Sequence, residues 1–308
     1  MLLNILLVIG GAGLLILAAD RLVLSAGGLS FKLGLSPVLI GAVVIGFGSS
    51  APELVVSLTA LDQPNGLDLA IGNVIGSNIA NISLVLGISV LIFPFGGLST
   101  TLRREGAVMM ISLVAITVFA WNQELSVWNG LALLAGLPIT ALLVSRWAKS
   151  DDSSPPDIDT NGASSSKLVV IAVISIAVLI AGARAMVIGA ERIALEYGLS
   201  EGLVGLTILA LGTSLPELGT VLASARRGQS KLVVGNVLGS NIFNSLGVVG
   251  TTAVFGAGTL ASNFRSDLVV MIVVAAVAGV AAWTGDRYRR YEGALMLLAY
   301  PIAIWLAT

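Results

Sequence analysis

The chain has 308 residues, a net charge of −1 and a mean hydropathy of +0.99. Hydrophobic residues make up 56% of it and charged residues 11%, whereas soluble domains carry about 25% charged residues. This composition excludes an ordinary soluble protein, a disordered chain and a nucleic-acid-binding surface. The sequence contains no His and no Cys, which excludes Ser-His-Asp catalysis and zinc sites built from these residues. We therefore expect a helical protein of the lipid bilayer that is not an enzyme and carries no cofactor.

Apolar segments of about 20 residues, the length that a membrane-spanning helix needs, follow one another along the whole chain. Ten are found, at 2–28, 37–60, 69–94, 105–121, 126–147, 168–190, 201–225, 231–255, 267–284 and 291–307. The first has no basic residues before it, so we interpret it as a membrane helix rather than a cleaved signal peptide. The predicted fold class is an all-α polytopic membrane protein with ten transmembrane helices.

Residues 149–167 interrupt this apolar pattern. They include four Asp, two Pro and several Ser between Lys149 and Lys167, a composition typical of a solvated, flexible linker. The linker divides the chain into two five-helix halves, residues 1–148 and 168–308.

The basic residues predict an orientation, because cytoplasmic loops carry an excess of Lys and Arg. If the N-terminus lies outside and each helix reverses direction, 12 of the 16 basic residues fall in cytoplasmic loops, the linker among them. We expect a multi-pass protein of the cell (inner) membrane with both termini outside. Arg184 takes the position in the second half that Asp20 takes in the first, which suggests an ion pair between the halves.

The two halves contain the same pair of motifs. GSSAPEL at 48–54 matches GTSLPEL at 212–218 in five of seven residues, and GNVIGSNIAN at 72–81 matches GNVLGSNIFN at 235–244 in eight of ten. Each half has an odd number of predicted helices, so the second copy enters the membrane from the opposite side. Such inverted repeats are typical of secondary transporters, whose substrate sites lie where helices interrupted by Gly or Pro meet near the midplane.

Glu53 and Glu217 lie deep in these apolar segments, and no Lys or Arg occurs in the motifs around them. A charge at the bilayer centre costs about 2.5–3.5 kcal/mol, so such residues normally face the protein interior and have a partner. Two carboxylates without a basic partner need a cation or protons. Pro52 and Pro216 precede them and are expected to interrupt the helices and leave a main-chain carbonyl without its donor.

Hydroxyl and amide side chains surround each Glu in helical spacing. Ser49 and Ser50 precede Glu53 by one turn, and Thr213 and Ser214 precede Glu217 in the same way. In the following helices Ser77 lies four residues before Asn81, and Ser240 four before Asn244. All these groups offer oxygen, which the hard cations Na⁺, Ca²⁺ and Mg²⁺ prefer, although Mg²⁺ fits less well because it keeps its waters.

The paired GSSAPE and GTSLPE motifs, each followed by GNVxGSNIxN, resemble the α-repeats of the calcium/cation antiporter superfamily, and most closely its sodium/calcium exchanger branch. The resemblance covers the whole chain in layout, and its specific motifs lie at 48–81 and 212–244. It implies ten helices in two inverted five-helix repeats, with an ion cluster between the second, third, seventh and eighth helices. The first and sixth helices would slide across this cluster as gates.

Carried onto this chain, the resemblance implies that Glu53 and Glu217 are shared ligands of Ca²⁺ and Na⁺. Hydroxyl and carbonyl oxygens would come from Ser49, Ser50, Thr213 and Ser214, and neighbouring ligands from Ser77, Asn81, Ser240, Asn244 and the main chain at Gly46 and Ala210. Some relatives carry Asp where this chain has Asn81 or Asn244. In one branch Asp in the second half accompanies potassium dependence, so the two Asn residues disfavour this trait here.

The coupling ion is left open between Na⁺ and H⁺. The acidic motif typical of the proton-coupled branch is absent, which favours Na⁺, but carboxylates alone can carry protons. The linker is too short for the cytosolic calcium-sensing domain of animal exchangers. A cation channel is a further alternative, disfavoured because channels usually have oligomeric symmetry around an axis, whereas this repeat is inverted and the protein is expected to work as a monomer.

Overall fold

The computed structural model describes residues 1–96, 99–148, 162–198, 210–260, 264–285 and 287–307, and these are mostly helical. The helices are α1 (Leu2–Leu33), α2 (Pro37–Ala60), α3 (Gly66–Ile92), α4 (Ser99–Ala120), α5 (Val127–Ala148), α6 (Ser165–Glu196), α7 (Ala210–Thr213 and Leu215–Arg226), α8 (Ser230–Phe255), α9 (Arg265–Gly285) and α10 (Arg290–Ala307). Two short strands, β1 (Glu124–Leu125) and β2 (Gly258–Thr259), pair antiparallel, with Glu124 opposite Thr259.

Six of these helices, α1, α2, α3, α5, α6 and α8, are long and apolar enough to span a membrane. They differ in burial: α8 is the most buried of the six, and α1 and α5 are the least buried. Large apolar side chains such as Leu2, Ile111 and Trp128 are exposed on the outer helices. Exposed apolar side chains of this kind suit a protein surrounded by lipid, because its outer surface contacts acyl chains rather than water.

Several helix boundaries differ from the predicted spans. α1 and α6 continue to Leu33 and Glu196, although their apolar spans were predicted to end at 28 and 190. α1 ends where Gly34 adopts the left-handed conformation, with φ of 61°, which glycine enters without steric cost. α6 begins at Ser165, inside the predicted linker, and the Ser164 hydroxyl caps it by accepting from the amide of Lys167. Residues 149–161 and 201–209 lie outside the described part of the chain.

Both predicted helix breaks are found. In α2 the helical conformation is interrupted at Ser50, and in α7 at Ser214, with nearly identical backbone angles of −86° and 8° in one and −87° and 2° in the other. In each case Pro52 or Pro216 lies in the first turn after the break. Proline is tolerated there because the amides of a helix's first turn form no hydrogen bond within the helix, so the missing N–H of proline costs none. The break places Glu53 and Glu217 in the first turn of the following helical segment.

Three of the described stretches are π-helical, a conformation whose turns are wider than those of an α-helix. They are Gly41–Gly46 in α2, Asn81–Val85 in α3 and Phe243–Val248 in α8. The stretches in α3 and α8 begin at or one residue before the last Asn of each repeated motif. Such π segments frequently accompany functional sites, since the wider turn takes side chains out of the regular helical register.

Glycines bring pairs of helices into close contact. A methyl group on Gly11 of α1 would lie 2.6 Å from the Gly182 carbonyl of α6, and one on Gly182 would lie 2.9 Å from the Gly11 carbonyl. The pairs Gly87 with Gly293 and Gly130 with Gly250 make the same reciprocal contact between α3 and α10 and between α5 and α8. Small residues at such crossings let membrane helices approach until their backbones touch.

Candidate functional site

Glu53 and Glu217 are completely buried, with 0% and 1% of their surfaces exposed. They lie close enough to each other to interact electrostatically. Neither takes part in an ion pair within the described residues. The predicted pairing of two buried carboxylates without a basic partner is therefore present in the fold.

The two carboxylates have different surroundings. The Ser50 hydroxyl donates a hydrogen bond of 2.8 Å to Oε1 of Glu217, which joins the break in α2 to the other half of the chain. Among the described residues, Oε2 of Glu217 has no hydrogen-bond partner, and neither does either oxygen of Glu53. Three of the four carboxylate oxygens thus lie in the protein interior without a donor from the described part of the chain.

The main-chain carbonyl of Gly46 is surrounded by donors. It accepts from the Ser50 amide at 3.1 Å, from the Ser49 hydroxyl at 3.3 Å and from the Ser240 hydroxyl at 3.2 Å. A methyl group on Gly46 would lie 2.9 Å from the Asn236 carbonyl oxygen and from the Ser240 amide. Glycine is needed here because α2 and α8 touch backbone to backbone, and this contact brings Ser240 to the predicted carbonyl.

Asn81 and Asn244 are completely buried, and their side-chain nitrogens and oxygens have no hydrogen-bond partner in the described ranges. The helical segment Ala51–Ala60, which carries Glu53, contacts the π segment that contains Asn244. The segment Leu215–Arg226, which carries Glu217, contacts the π segment that contains Asn81. Each carboxylate segment therefore packs against the polar turn of the opposite half.

The remaining predicted residues lie on the same elements. Ser77 is buried in α3, and Ser214 is buried at the break in α7, where its hydroxyl has no partner among the described residues. Thr213 is half-buried and is not without an interaction partner. Ala210 is the first described residue of α7, and its side chain lies outside the described part.

Four polar residues that were not among the predicted ligands, Asn73, Ser57, Asn236 and Thr220, form hydrogen bonds beside the two Glu residues. The Asn73 amide donates to the Ser57 hydroxyl at 3.1 Å and to the Glu53 carbonyl at 3.4 Å. In the second half the Asn236 amide donates to the Thr220 hydroxyl at 2.7 Å. The repetition of Asn73 and Asn236 in both motifs was a visible signal, but their spacing from the Glu residues did not show what they bind.

Asp20 has partners other than the predicted one. The structure pairs it with Arg226 at 2.7 Å and with Arg227 at 2.6 Å, at the end of α7, instead of Arg184. The expected ion pair between the halves exists, but its cations come from the end of α7 and the residue after it. Equivalent position in the two halves did not identify the partner, because the partner depends on α1 packing against α7.

The groups around the two carboxylates offer oxygen atoms, the ligand type that hard cations prefer. Within the described residues no three Asp, Glu, His or Cys side chains come together. Two carboxylates are therefore accompanied by neutral hydroxyl, amide and carbonyl oxygens, a donor set suited to Na⁺ or Ca²⁺ and unsuited to soft transition metals.

Comparison with known proteins identifies the family. The family model described as sodium/calcium exchanger protein matches residues 3–145 and 167–308. The chain belongs to the sodium/calcium exchanger family. It is 36% identical to the putative antiporter CaxA of Alkalimonas amylolytica over 97% of both chains, and 30% identical to the sodium/calcium exchanger MaX1 of Methanosarcina acetivorans over 96% of both chains. A solved structure of the sodium–calcium exchanger NCX_Mj, soaked with Na⁺ and Ca²⁺, superimposes with a TM-score of 0.85 and 29% identity, covering 99% of this chain and 98% of that one.

Membership in the sodium/calcium exchanger family makes this chain an integral membrane cation antiporter, a transporter rather than an enzyme.

Proposed function

We propose that this exchanger couples Na⁺ to Ca²⁺ at one central site, which faces the two sides of the membrane alternately. Its ligands are the carboxylates of Glu53 and Glu217 with the surrounding hydroxyl, amide and carbonyl oxygens. The supporting oxygens come from Ser49, Ser50, Thr213, Ser214, Ser77, Asn81, Ser240, Asn244 and the main chain at Gly46 and Ala210.

The observation that carries this proposal is the carboxylate of Glu53, which is wholly buried and has no hydrogen-bond donor on either oxygen among the described residues. Removing an ionised group from water costs several kcal/mol unless a partner replaces the lost hydration. A bound cation is such a partner, and the amide oxygens of Asn81 and Asn244 supply neutral ligands for it. The negative charge therefore favours occupancy by a cation.

Competition between the ions couples their movements. Two carboxylates balance the charge of one Ca²⁺, or they hold Na⁺ ions in neighbouring positions, so the two kinds of ion exclude each other. An empty site leaves two negative charges in a low-dielectric interior, which disfavours movement of the gates without cargo. We assign the gating movement to α1 and α6, whose close contact through Gly11 and Gly182 allows them to move as a pair.

The proposal includes the full architecture of ten transmembrane helices in two inverted five-helix repeats. The halves are residues 1–148 and 168–308, with a cytoplasmic linker at 149–167. The matched breaks in α2 and α7 and the equally spaced glycine contacts support it, since Gly87 and Gly250 are 163 residues apart, as are Gly130 and Gly293. We place both termini outside the cell (inner) membrane, and we propose that one chain is the working unit.

Coupling to H⁺ is the second candidate, because a buried carboxylate without a donor also accepts a proton. Uptake of radiolabelled Ca²⁺ into proteoliposomes distinguishes Na⁺ coupling from H⁺ coupling. Vesicles loaded with Na⁺ are diluted into Na⁺-free buffer at equal pH, and parallel vesicles without Na⁺ receive a pH gradient. We expect uptake that depends on the outward Na⁺ gradient. Uptake driven by pH and indifferent to Na⁺ would overturn the assignment of Na⁺ as the coupling ion.

A further inference from the structure

A chain of buried hydrogen bonds connects the Gly46 carbonyl of the first half to the Glu217 backbone of the second. The Ser240 hydroxyl lies 3.2 Å from the Gly46 oxygen and 3.4 Å from Oδ1 of Asn236. The Asn236 amide nitrogen lies 2.7 Å from the Thr220 hydroxyl, which donates to the carbonyls of Pro216 and Glu217 at 3.0 Å. The side chains of Ser240, Asn236 and Thr220 are completely buried.

The hydrogen bonds of the structure give this chain a direction. The Thr220 hydroxyl has one proton, and that proton is engaged by the main-chain carbonyls, so its oxygen accepts from Asn236. The NH₂ end of the Asn236 amide must then face Thr220, and its oxygen must face Ser240. Ser240 has one proton and two acceptors within reach, the Gly46 carbonyl and Oδ1 of Asn236.

A cation that binds the Ser240 oxygen requires the hydroxyl proton to point away from it. If this proton stays on the Gly46 carbonyl, it occupies a second predicted ligand of the same site. We propose that Asn236 is a positioning residue whose side-chain oxygen accepts the hydrogen bond of the Ser240 hydroxyl when a cation binds. This frees the Ser240 oxygen for coordination and removes one of the three donors from the Gly46 carbonyl. This inference rests on the proposed function, since Ser240 and Gly46 belong to the proposed site.

The first half lacks this arrangement in the described part of the chain. Asn73, the counterpart of Asn236, uses its amide nitrogen to donate to Ser57 and to the Glu53 carbonyl. The described contacts include no hydrogen bond between Asn73 and Ser77, the counterpart of Ser240. Within the described residues, an amide oxygen placed to accept from this hydroxyl is therefore found only in the second half, at Asn236.

The test uses Thr220→Val, which keeps the shape of the side chain but removes the acceptor that orients Asn236, and Asn236→Ala, which removes the amide. Ca²⁺ binding at equilibrium is measured on the purified full-length protein, and Na⁺-driven Ca²⁺ uptake is measured in proteoliposomes. We expect each variant to weaken Ca²⁺ affinity about tenfold, the loss that one buried hydrogen bond corresponds to, with the maximal rate of uptake within about twofold of the original chain.

Two controls separate positioning from general stability. Thr220→Ser keeps the hydroxyl and should restore affinity close to that of the original chain. Thr251→Val removes another hydroxyl, in α8, which donates to the Gly247 carbonyl at 2.7 Å, and should leave affinity unchanged. If Asn236→Ala does not fold, the Ca²⁺ affinity of Thr220→Val alone tests whether Asn236 positions the Ser240 hydroxyl.

Unchanged Ca²⁺ affinity in Thr220→Val, or equal affinities in the Val and Ser variants, would overturn the role of Asn236. A lower maximal rate at unchanged affinity would also contradict it, because that pattern indicates an effect on the transport step. If the original chain binds Ca²⁺ but does not exchange it for Na⁺, the proposed function fails, while the comparison of binding affinities still decides the role of Asn236.

Discussion

The two breaks in α2 and α7 carry serines at equivalent positions, and these serines differ in their hydrogen bonding. Ser50 and Ser214 have nearly the same backbone angles, yet Ser50 donates to Glu217, whereas the Ser214 hydroxyl has no partner within the described residues. Consequently the Glu217 carboxylate accepts a hydrogen bond from the opposite half, whereas no described residue donates one to the Glu53 carboxylate. Repeated sequence therefore produced equivalent backbones but not equivalent contacts.

The alternating access proposed for this chain requires such a difference between the halves. If both halves made the same contacts, the site would be related to itself by symmetry and would face both sides equally. An exchanger must occupy one of two unequal arrangements at a time, and the exchange of contacts between the halves converts one arrangement into the other. The bond from Ser50 to Glu217 and the unmade bond from Ser214 to Glu53 are candidates for such an exchange.

The largest expected effect comes from neutralising either carboxylate. Glu53→Gln and Glu217→Gln should each reduce Na⁺-driven Ca²⁺ uptake by about 100-fold or more, because the site loses half of the charge that balances Ca²⁺. Glu53→Gln should not lower the unfolding temperature without ions, since no described bond to its carboxylate is lost and a buried charge is removed. Glu124→Gln, at an exposed position, is the control. Undiminished uptake in either Gln variant would show that the carboxylates do not hold the ion.

The serines at the two breaks test the asymmetry itself. Ser50→Ala should lower the free energy of unfolding by about 1–3 kcal/mol, because it leaves a buried oxygen of Glu217 without its donor. Ser214→Ala should cost little, since its hydroxyl has no partner to lose in the described part of the chain. Thermal or denaturant unfolding in detergent, without Na⁺ or Ca²⁺, measures both. Equal losses of stability would mean that the halves are equivalent in solution.

At the contact between α1 and α6 the two halves make the same contact, unlike the serines at the two breaks, because Gly11 and Gly182 each face the carbonyl of the other. Gly11→Ala and Gly182→Ala should both destabilise the protein by about 1–3 kcal/mol, because each methyl group meets the backbone of the facing helix. Gly13→Ala should be neutral or stabilising, since a methyl group there meets nothing within 4 Å among the described residues. The measurement is again the unfolding transition in detergent. A tolerated Gly11→Ala would argue against the close packing of these two helices.

The smallest effect is expected at the ion pairs of Asp20. Arg227 makes two hydrogen bonds to this carboxylate, at 3.1 and 2.6 Å, whereas Arg226 makes one and is more exposed. Arg227→Gln should therefore change the rate of exchange more than Arg226→Gln, and both by less than about fivefold, because exposed ion pairs contribute about 1 kcal/mol or less. Uptake rates at low and high salt measure this, and an order reversed between the two Arg variants would contradict it.

The sequence predicted the parts of the fold that depend on local chemistry. Pro52 and Pro216 indicated both breaks. The absence of basic residues around Glu53 and Glu217 indicated two buried carboxylates, and neither forms an ion pair within the described residues. The π segments that begin at Asn81 and Phe243 had no such signal, because ordinary residues form them and packing decides where the wider turn is accommodated. Neither the ion-pair partners of Asp20 nor the hydrogen bond from Ser50 to Glu217 could be predicted, since both depend on how the two halves pack.

The most direct test of the central claim is competition between the two ions for the purified protein. Equilibrium binding of radiolabelled Ca²⁺ is measured in detergent at increasing Na⁺, for the original chain and for Glu53→Gln. Shared carboxylates predict that Na⁺ raises the apparent Kd for Ca²⁺ without lowering the number of sites at saturation, and that Glu53→Gln binds no Ca²⁺ in the same range. Ca²⁺ binding that is indifferent to Na⁺, or that persists unchanged in Glu53→Gln, would contradict a single site shared by both ions.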